Sequence, residues 1–376
     1  MNTLKNFIQS TTAPLLHLSK GGKQIQMKDA EADMAFCYES LEKVSRSFAM
    51  VIQQLPPELK DAVCVFYLVL RGLDTIEDDM TLEENEKDRL LRHFYRSCYL
   101  PDFNLQGIGD TEDYRNLLQN FDKVTRTFLT LREEYKEIIA DICFRMGNGM
   151  ADCSSYEIKT IQDYDIYCHY VAGLVGQGLS ELFSASGYEN EDLAAEMSIA
   201  NSMGLFLQKT NITRDFLEDF EAGRFFIPNE IWEKHHTELS FFKTQPKSTA
   251  SLSGLNCMIE DALRHFPDCI SYLEKLKNPQ VFRFCAIPQL MALATLIELY
   301  DNANVFMQNV KISRVLSLKI MMETTDFEAV KKTILQFIKT LEKKAESSPN
   351  TPPSIWHSIH RIKMALGQEI NNPILF

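Results

Sequence analysis

Apolar residues recur at helical spacing through most of this chain. Between residues 30 and 54 the large apolar side chains lie three to five positions apart, as they do along one face of a helix. Pro56 and Pro57 end this helix and begin the next, because proline suits the first turn of a helix but not its interior. The same spacing predicts further helices at 84–99, 111–146, 161–184, 189–220, 249–276, 279–304, 326–347 and 353–365. No alternation of apolar and polar residues predicts a strand, so we expect an all-α fold.

The first 28 residues differ from the rest of the 376-residue chain. They show no strong periodicity and contain Gly21 and Gly22, which predicts a loosely held N-terminal arm at 1–28. Beyond this arm the predicted connections are short, and no stretch rich in proline, glycine and serine separates two halves. We therefore expect residues 29–376 to form a single all-helical domain.

Two of the predicted helices carry acidic clusters with the same internal spacing. The first cluster is Asp74, Glu77 and Asp78, and the second is Asp215, Glu218 and Asp219. Positions i, i+3 and i+4 share one face of a helix, so each cluster presents its carboxylates together. Such acids could instead cap helix ends or face solvent, but acids near the carboxyl end of a helix oppose its dipole. Their duplication favours a common role.

Bound divalent cations would account for both clusters. Mg²⁺ takes oxygen ligands in octahedral geometry and commonly divides its shell between carboxylates, water and phosphate. We expect the two helices to face each other across a cavity and to hold several Mg²⁺ ions, with Mn²⁺ as an alternative, that clamp a diphosphate. Loss of diphosphate from an allylic carbon leaves a carbocation, so this cavity has to be apolar and dry.

Basic and polar residues lie close to both clusters. Arg71 is one helical turn before the first cluster, and Asn211 and Arg214 are one turn before the second. A further group within a core-like helix consists of Ser45, Arg46, Ser47 and Phe48. Paired donors of arginine bind phosphate oxygens, so these residues are candidates for substrate binding. For any single arginine an ion pair within the protein is the simpler interpretation, but together they indicate a polyanion site.

Composition argues against several other classes of protein. The formal net charge of −13 disfavours nucleic acid or an anionic membrane surface as the main partner. The nine cysteines contain no CxxC pair and no zinc-like grouping, which indicates reduced thiols in a cytosolic setting. The longest uninterrupted apolar run, 62–70, is too short to span a bilayer, and the run 284–300 contains Pro288. We therefore expect a soluble, cytoplasmic protein.

Five blocks of the sequence form a set. They are SRSFA at 45–49, YLVLRGLDTIEDDM at 67–80, YVAGLVGQGLS at 170–180, NSMGLFLQKTNITRDFLED at 201–219 and FCAIPQLMALATL at 284–296. Together and in this order they resemble the squalene/phytoene synthase family, and its squalene synthases in particular, over residues 35–322. The resemblance implies the class I terpenoid synthase fold, a single all-α domain with a central cavity between its helices.

The resemblance also implies an activity. Two farnesyl diphosphates would be joined head-to-head to presqualene diphosphate, which ionises, rearranges and accepts a hydride from NADPH to give squalene. Two alternatives stay open at this point. One is a relative that releases a different or unreduced terpenoid without NADPH, and the other is a catalytically silent helical scaffold. The scaffold predicts broken acidic clusters, whereas both clusters are intact here.

Several individual roles follow from the same resemblance. The acidic clusters match the family's metal-binding motifs, with catalytic aspartates at Asp74, Asp78, Asp215 and Asp219. Tyr170 matches a tyrosine that assists proton removal in the first step, although taken alone it would be a core tyrosine. Positions that contact phosphate or cofactor correspond to Arg46, Arg71, Arg214 and Lys311. The aromatic rings of Phe48, Phe206 and Phe284, together with Met203, are core residues that line the cavity once one is granted.

This sequence departs from the family pattern in two places. The family usually has a basic residue two positions after the equivalent of Lys311, but Ser313 stands here and Arg314 follows it. Arg314 is therefore the candidate for that cofactor contact. Eukaryotic members usually end in a membrane-anchoring helix, and we see none before Phe376. We expect a monomer in the cytoplasm, or on the cytosolic face of the endoplasmic reticulum if an anchor has been removed, with peripheral membrane contact that delivers the apolar product.

Overall fold

The computed structural model describes residues 27–154, 157–236 and 238–368, with all of their side chains except those of residues 27–29, 46 and 47. These residues form α-helices, one π-helical turn and two short 3₁₀ turns, and no β-strand occurs among them. The all-α prediction is therefore confirmed. The N-terminal arm predicted at 1–28 lies outside the described residues up to residue 26.

Contacts divide the chain into two compact units. The first comprises Met1–Ala49 and Asp61–Gly147, and the second comprises Met50–Lys60 and Asn148–Phe376. A single domain over residues 29–376 stays a prediction.

The described helices are numbered in chain order. Helices α1 to α7 are Met27–Val44, Arg46–Ile52, Pro57–Asp78, Glu84–Ser97, Glu112–Gln119, Phe121–Thr130 and Glu133–Cys153. Helices α8 to α13 are Ile161–Cys168, Leu174–Ser186, Met197–Arg214, Phe216–Glu221, Asn229–Trp232 and Ser240–Thr244. Helices α14 to α19 are Thr249–Leu263, Phe266–Lys275, Pro279–Leu299, Arg314–Glu323, Phe327–Ser347 and Ser354–Ala365. The π-helical turn is His169–Gly173, and the 3₁₀ turns are Glu191–Ala195 and Ala303–Phe306.

The structure interrupts several helices that periodicity predicts as continuous. The segment predicted as one helix at 111–146 contains three helices. Asn120 separates the first from the second and Leu131 ends the second, because both residues have non-helical backbone angles. The helix predicted at 249–276 breaks at its middle, where Pro267 occupies the first turn of α15. Proline has no amide hydrogen and fits only a helix start, so the backbone reorients just before it. Apolar periodicity survives such breaks, which is why it does not reveal them.

In the first unit, the carboxyl-terminal part of α3 packs against aromatic rings. Leu68, Leu73 and Ile76 are fully buried. Gly72 brings the α3 backbone close to a pair of aromatic side chains, since a Cβ there would lie 2.9 Å from atoms of both Phe94 and Phe121. This close packing fixes the helix turn that carries the first acidic cluster.

In the second unit, α10 is the central helix. It packs against α9, α14, α15, α16 and the π-helical turn. Glycines bring the backbones of α9 and α10 into contact. A Cβ at Gly176 would lie 2.1 Å from the carbonyl oxygen of Ala200, and one at Gly204 would lie 2.1 Å from that of Ala172. The segment containing Tyr170 is thereby held directly against the helix that leads to the second acidic cluster.

Helix α16, Pro279–Leu299, is long and apolar enough to cross a membrane by length and composition. In the protein, however, 78% of its most apolar window is buried, as expected for the core helix of a globular unit. Pro288 lies inside this helix without ending it. Polar contacts also tie it down, because the buried amide of Gln289 donates to the carbonyl oxygen of Met203 at 3.1 Å.

Replacing Gly176 by alanine tests the close contact between α9 and α10. Alanine is the better helix former by about 1 kcal/mol, but its methyl group would overlap a backbone carbonyl that has no rotamer to escape into. We expect Gly176→Ala to lower the free energy of unfolding by about 2 kcal/mol, as overpacking does elsewhere, in urea denaturation. Val175→Ala, which adds no atom to the contact, is the control and should cost less. Unchanged stability of Gly176→Ala would mean that the two backbones do not touch there.

Candidate functional site

The first acidic cluster lies at the carboxyl end of α3. Asp74, Glu77 and Asp78 are all partly buried there. The guanidinium of Arg71 lies 3.5 Å from the Asp74 carboxylate, as the spacing predicts, and only 24% of the Asp74 side chain is exposed. Burial nevertheless raises the pKa of Asp74 to about 7, with Arg71 lowering it and Asp78 raising it further. One arginine therefore does not fully compensate the charge of this cluster.

Arg71 is held by aromatic residues and keeps a donor unused. It donates to the hydroxyl of Tyr67 at 3.2 Å, and its guanidinium carbon lies 5.7 and 5.6 Å from the ring centres of Tyr67 and Tyr114. Its Nε is buried, and the described residues offer it no hydrogen-bond partner. Because a buried donor left unpaired is costly, this atom fits an additional acceptor such as a phosphate oxygen.

Asp79 follows the first cluster but has a different task. It is buried and accepts hydrogen bonds from the backbone N–H and the hydroxyl of Thr81, at 2.8 and 2.6 Å, and from the backbone N–H of Gly109 at 2.8 Å. These donors lower the pKa of Asp79, against the effect of burial. The carboxylate thus fastens two loops, which agrees with its absence from the predicted metal ligands.

The second acidic cluster spans a helix break. Helix α10 ends at Arg214, Asp215 has non-helical backbone angles, and α11 begins at Phe216. The prediction of one uninterrupted helix over 189–220 is therefore wrong at this point. On an uninterrupted helix Arg214, four residues before Glu218, would share a face with that acid. Instead Arg214 donates twice to Asp215, at 2.7 and 2.5 Å.

Two further residues complete this cluster, and our sequence interpretation missed both. Arg224 donates from Nε and Nη2 to Asp219, at 3.1 and 2.8 Å. The side-chain amide of Asn309 donates to Glu218. A turn at Gly223, whose φ is 74°, returns the chain so that the backbone N–H of Arg224 bonds the carbonyl oxygen of Asp219 at 2.8 Å. The glycine was the available signal for Arg224, whereas nothing local indicates Asn309.

The donor chemistry of both clusters suits a hard divalent cation. Each offers carboxylate oxygens, which Mg²⁺ prefers, and the raised pKa of Asp74 marks a site short of positive charge. In the part of the chain that the structure describes, however, no three acidic, histidine or cysteine side chains are already gathered as a metal site. That the two clusters face each other across an apolar cavity stays a prediction.

Tyr170 lies in the π-helical turn between α8 and α9. Its ring packs against Gly149, where a Cβ would lie 2.1 Å from ring carbons, so glycine is needed there to make room for it. The preceding residue is also fixed, because His169 Nδ1 and Asn201 Oδ1 are 2.6 Å apart. The oxygen only accepts, so Nδ1 carries the proton in this contact. π-Helical turns are frequent at functional sites, and this one aims Tyr170 differently from a regular helix.

The remaining candidates vary in how well they are placed. The Phe48 ring lies 5.6 Å from that of Tyr67, and Phe284 is buried against Phe183 at 5.9 Å. Ser45 separates α1 from α2. The side chains of Arg46 and Ser47 lie outside the described ones. For Asn211 the structure shows a backbone contact, since its carbonyl oxygen accepts from the N–H of Asp215 at 2.8 Å.

The departure at Ser313 has a structural reason. Ser313 is the N-cap of α17, and its hydroxyl accepts from the backbone N–H of Leu316 at 3.1 Å. A short hydroxyl satisfies a helix N-terminus in a way that a long basic side chain does not. Arg314 is the first residue of that helix, and both it and Lys311 are exposed. Their contact with a cofactor stays a prediction.

Comparison with known proteins agrees with these motifs. Residues 41–315 match the family model described as squalene/phytoene synthase. The chain belongs to the squalene/phytoene synthase family. It is 45% identical to squalene synthase BSS of Botryococcus braunii over 362 residues, which is 94% of this chain and 78% of that protein. It is 44% identical to squalene synthase of Rattus norvegicus over 345 residues, 90% of this chain and 82% of that one.

Solved structures place the fold as well. The structure of TcSQS in complex with the ligand BPH1237 matches with a TM-score of 0.86 at 42% identity, over 89% of this chain and 99% of that one. This squalene/phytoene synthase family member therefore has the all-α terpenoid synthase fold, as its resemblance implied.

The pKa of Asp74 predicts a pH-dependent stability. A carboxyl whose folded pKa, about 7, exceeds its ordinary value of 3.8 favours the folded state while protonated, so stability falls as pH rises between these values. Asp74→Asn removes the titration. In urea denaturation without added metal, the wild type should lose stability from pH 5 to pH 8 that the variant keeps. The difference in free energy of unfolding, variant minus wild type, should therefore rise by on the order of 1–2 kcal/mol over this range.

Asp88→Asn is the matched control for this experiment. Asp88 pairs with Arg92 at 2.9 Å and its side chain is 44% exposed, so its removal should leave the pH dependence unchanged. Parallel stability curves for Asp74→Asn and the wild type would show that Asp74 is already ionised at pH 5.

Proposed function

We propose that this protein condenses two farnesyl diphosphates to presqualene diphosphate and reduces that intermediate to squalene. The observation that carries the proposal is its likeness to squalene synthases, at 44–45% identity over at least 90% of this chain. Further support comes from the site, because both acidic clusters and the arginines beside them are intact.

We also propose Mg²⁺ and NADPH as its cofactors. Asp74, Glu77 and Asp78 would hold metal at one cluster, and Asp215, Glu218 and Asp219 at the other. When bound, Mg²⁺ neutralises phosphate charge and makes diphosphate a competent leaving group. Lys311 and Arg314, both exposed near the start of α17, are the candidates for binding the phosphate of NADPH.

The protein's own residues would share the remaining work. The unpaired Nε of Arg71 would donate to a diphosphate oxygen and so hold the leaving group in place. Tyr170, which lies in the π-helical turn with its ring against Gly149, would accept or relay the proton lost in the first step. The apolar faces of the surrounding helices would exclude water, which would otherwise quench a carbocation.

The second candidate is an enzyme of the same family that works without a reductant. Incubation of the purified protein with farnesyl diphosphate and Mg²⁺, with and without NADPH, separates the two candidates. We expect squalene only when NADPH is present, and none in excess EDTA, with products identified by mass spectrometry. The same product with and without NADPH would contradict the reductive step.

Asp219→Asn tests the second cluster. This change keeps the side-chain volume but removes a charge, so the ion pair with Arg224 is lost and Mg²⁺ would lose a ligand. Loss of a residue that only supports a metal ligand costs up to about 100-fold in metal affinity or activity, so we expect loss of a ligand to slow diphosphate release from farnesyl diphosphate at least about 100-fold. The helical circular dichroism should stay unchanged. Asp326→Asn is the control, because asparagine also caps the start of α18. Full activity of Asp219→Asn would contradict the assignment of Asp219 as a ligand.

A further inference from the structure

A lysine with no exposed surface lies at the centre of the second unit. The side chain of Lys209, on α10, is 0% exposed, and its ammonium contacts Asp165 of α8 and Asp261 of α14 at 2.5 Å each. Neither carboxylate belongs to the acidic clusters. A lone charge in such a place would be very unfavourable, so this lysine depends on both partners.

An arginine and two neutral side chains complete this group. Arg264 contacts Asp165 at 2.5 Å and Asp261 at 2.7 Å, so two cations balance two carboxylates. Burial, reinforced by Lys209 and Arg264, lowers the pKa of His265 to about 3, and its ring is therefore neutral at physiological pH. The Lys209 ammonium also lies 4.6 Å from the ring centre of Tyr164. We call these six residues the Lys209 centre: Tyr164, Asp165, Lys209, Asp261, Arg264 and His265.

The Lys209 centre joins the two parts of the candidate site that lie in this unit. Asp165 precedes Tyr170 by five residues along α8 and the π-helical turn, and Lys209, on α10, precedes Asp215 by six residues. Burial raises the pKa of Tyr164, with smaller contributions from Cys168, Asp261, Asp165 and, last, Asp219 of the second cluster. A displacement of Lys209 would therefore reach both Tyr170 and the carboxylates of the second acidic cluster.

The cost of burying these charges indicates that the Lys209 centre does more than stabilise the fold. Apolar residues of similar volume commonly hold helices together as well as a buried ion pair does, because ions lose hydration on burial. What an ion pair adds is a fixed geometry, and here the buried Lys209 ammonium and the Arg264 guanidinium each bridge two carboxylates on different helices. The buried hydroxyl of Tyr164 and Nε2 of His265 lack hydrogen-bond partners among the described residues. A group selected for stability alone would not leave them unpaired.

We propose that Lys209 is a positioning residue that sets the second carboxylate cluster relative to Tyr170 for binding of a divalent cation with diphosphate. This inference rests on the proposed function and adds a residue that touches neither substrate nor metal. Loss of a group that bonds directly to a metal ligand commonly costs about 10- to 100-fold in metal affinity or activity, and for Lys209, which acts through the helices that carry the ligands, we expect the lower end of this range.

The test uses the double variant Lys209→Met/Asp261→Asn. It removes one positive and one negative charge, retains side-chain volume and leaves the Arg264–Asp165 pair in place. Thermal unfolding is followed at increasing Mg²⁺ with a fixed concentration of inorganic pyrophosphate. We expect a melting temperature close to that of the wild type without ligand, but a Mg²⁺ midpoint about tenfold higher. In the assay with farnesyl diphosphate, kcat should fall about tenfold while KM changes little.

Lys243→Met/Glu221→Gln is the matched control. Lys243 pairs with Glu221, just after the second cluster, at 2.7 Å, but on the surface, so one positive and one negative charge are lost without disturbing the Lys209 centre. Its Mg²⁺ midpoint should match that of the wild type. If the double variant does not fold, Asp261→Asn alone is read by the same criteria, since Lys209 keeps Asp165.

A folded variant with the wild-type Mg²⁺ midpoint and kcat would overturn the proposal and leave Lys209 with a structural role only. The proposed function is judged separately, by the wild-type product. A wild type that binds Mg²⁺ with pyrophosphate but makes no squalene would contradict that function, while the midpoints would still decide the role of Lys209.

Discussion

Compensation of buried carboxylates is the constraint on which this site depends. Asp74 has Arg71, Asp215 has Arg214, and Asp219 has Arg224, each within ion-pair distance. Helices packed through apolar faces offer little hydration, so an acid there must find a cation or take up a proton. At Asp74 the charge of Arg71 does not fully offset burial, which raises the pKa of this carboxyl to about 7. Each cluster thus keeps carboxylates together in a protein whose net charge is −13, and bound divalent cations would reconcile them with the diphosphate substrate of the proposed function.

Much of the fold could be predicted from the sequence, because helices longer than three turns leave a clear apolar period. The pairing of Arg71 with Asp74 could also be predicted from the sequence, since both residues lie on one uninterrupted helix. Spacing failed where the backbone leaves the helix, and Arg214 therefore pairs with Asp215 instead of Glu218. The apolar period of a helix does not reveal a single non-helical residue, such as Asp215, between two helices.

Contacts between residues far apart in the chain were beyond local patterns altogether. Lys209 lies in one of the five blocks that carry the family resemblance, yet its partners are 44 and 52 residues away and belong to different helices. Asn309 reaches Glu218 across 91 residues. The replacement of a basic residue by Ser313 was visible in the sequence, but its reason, the capping of α17, required the helix boundary.

The π-helical turn at His169–Gly173 also restricts how this chain could vary in length. A turn of this kind holds one residue more than an α-helical turn, and each residue rotates the helix by about 100°. Deleting one residue there would restore a regular helix up to Ser186 but swing Gly176 away from Ala200, leaving a bulkier neighbour against that carbonyl. Insertions and deletions in this segment should therefore be much rarer than substitutions, even at positions that never meet a ligand.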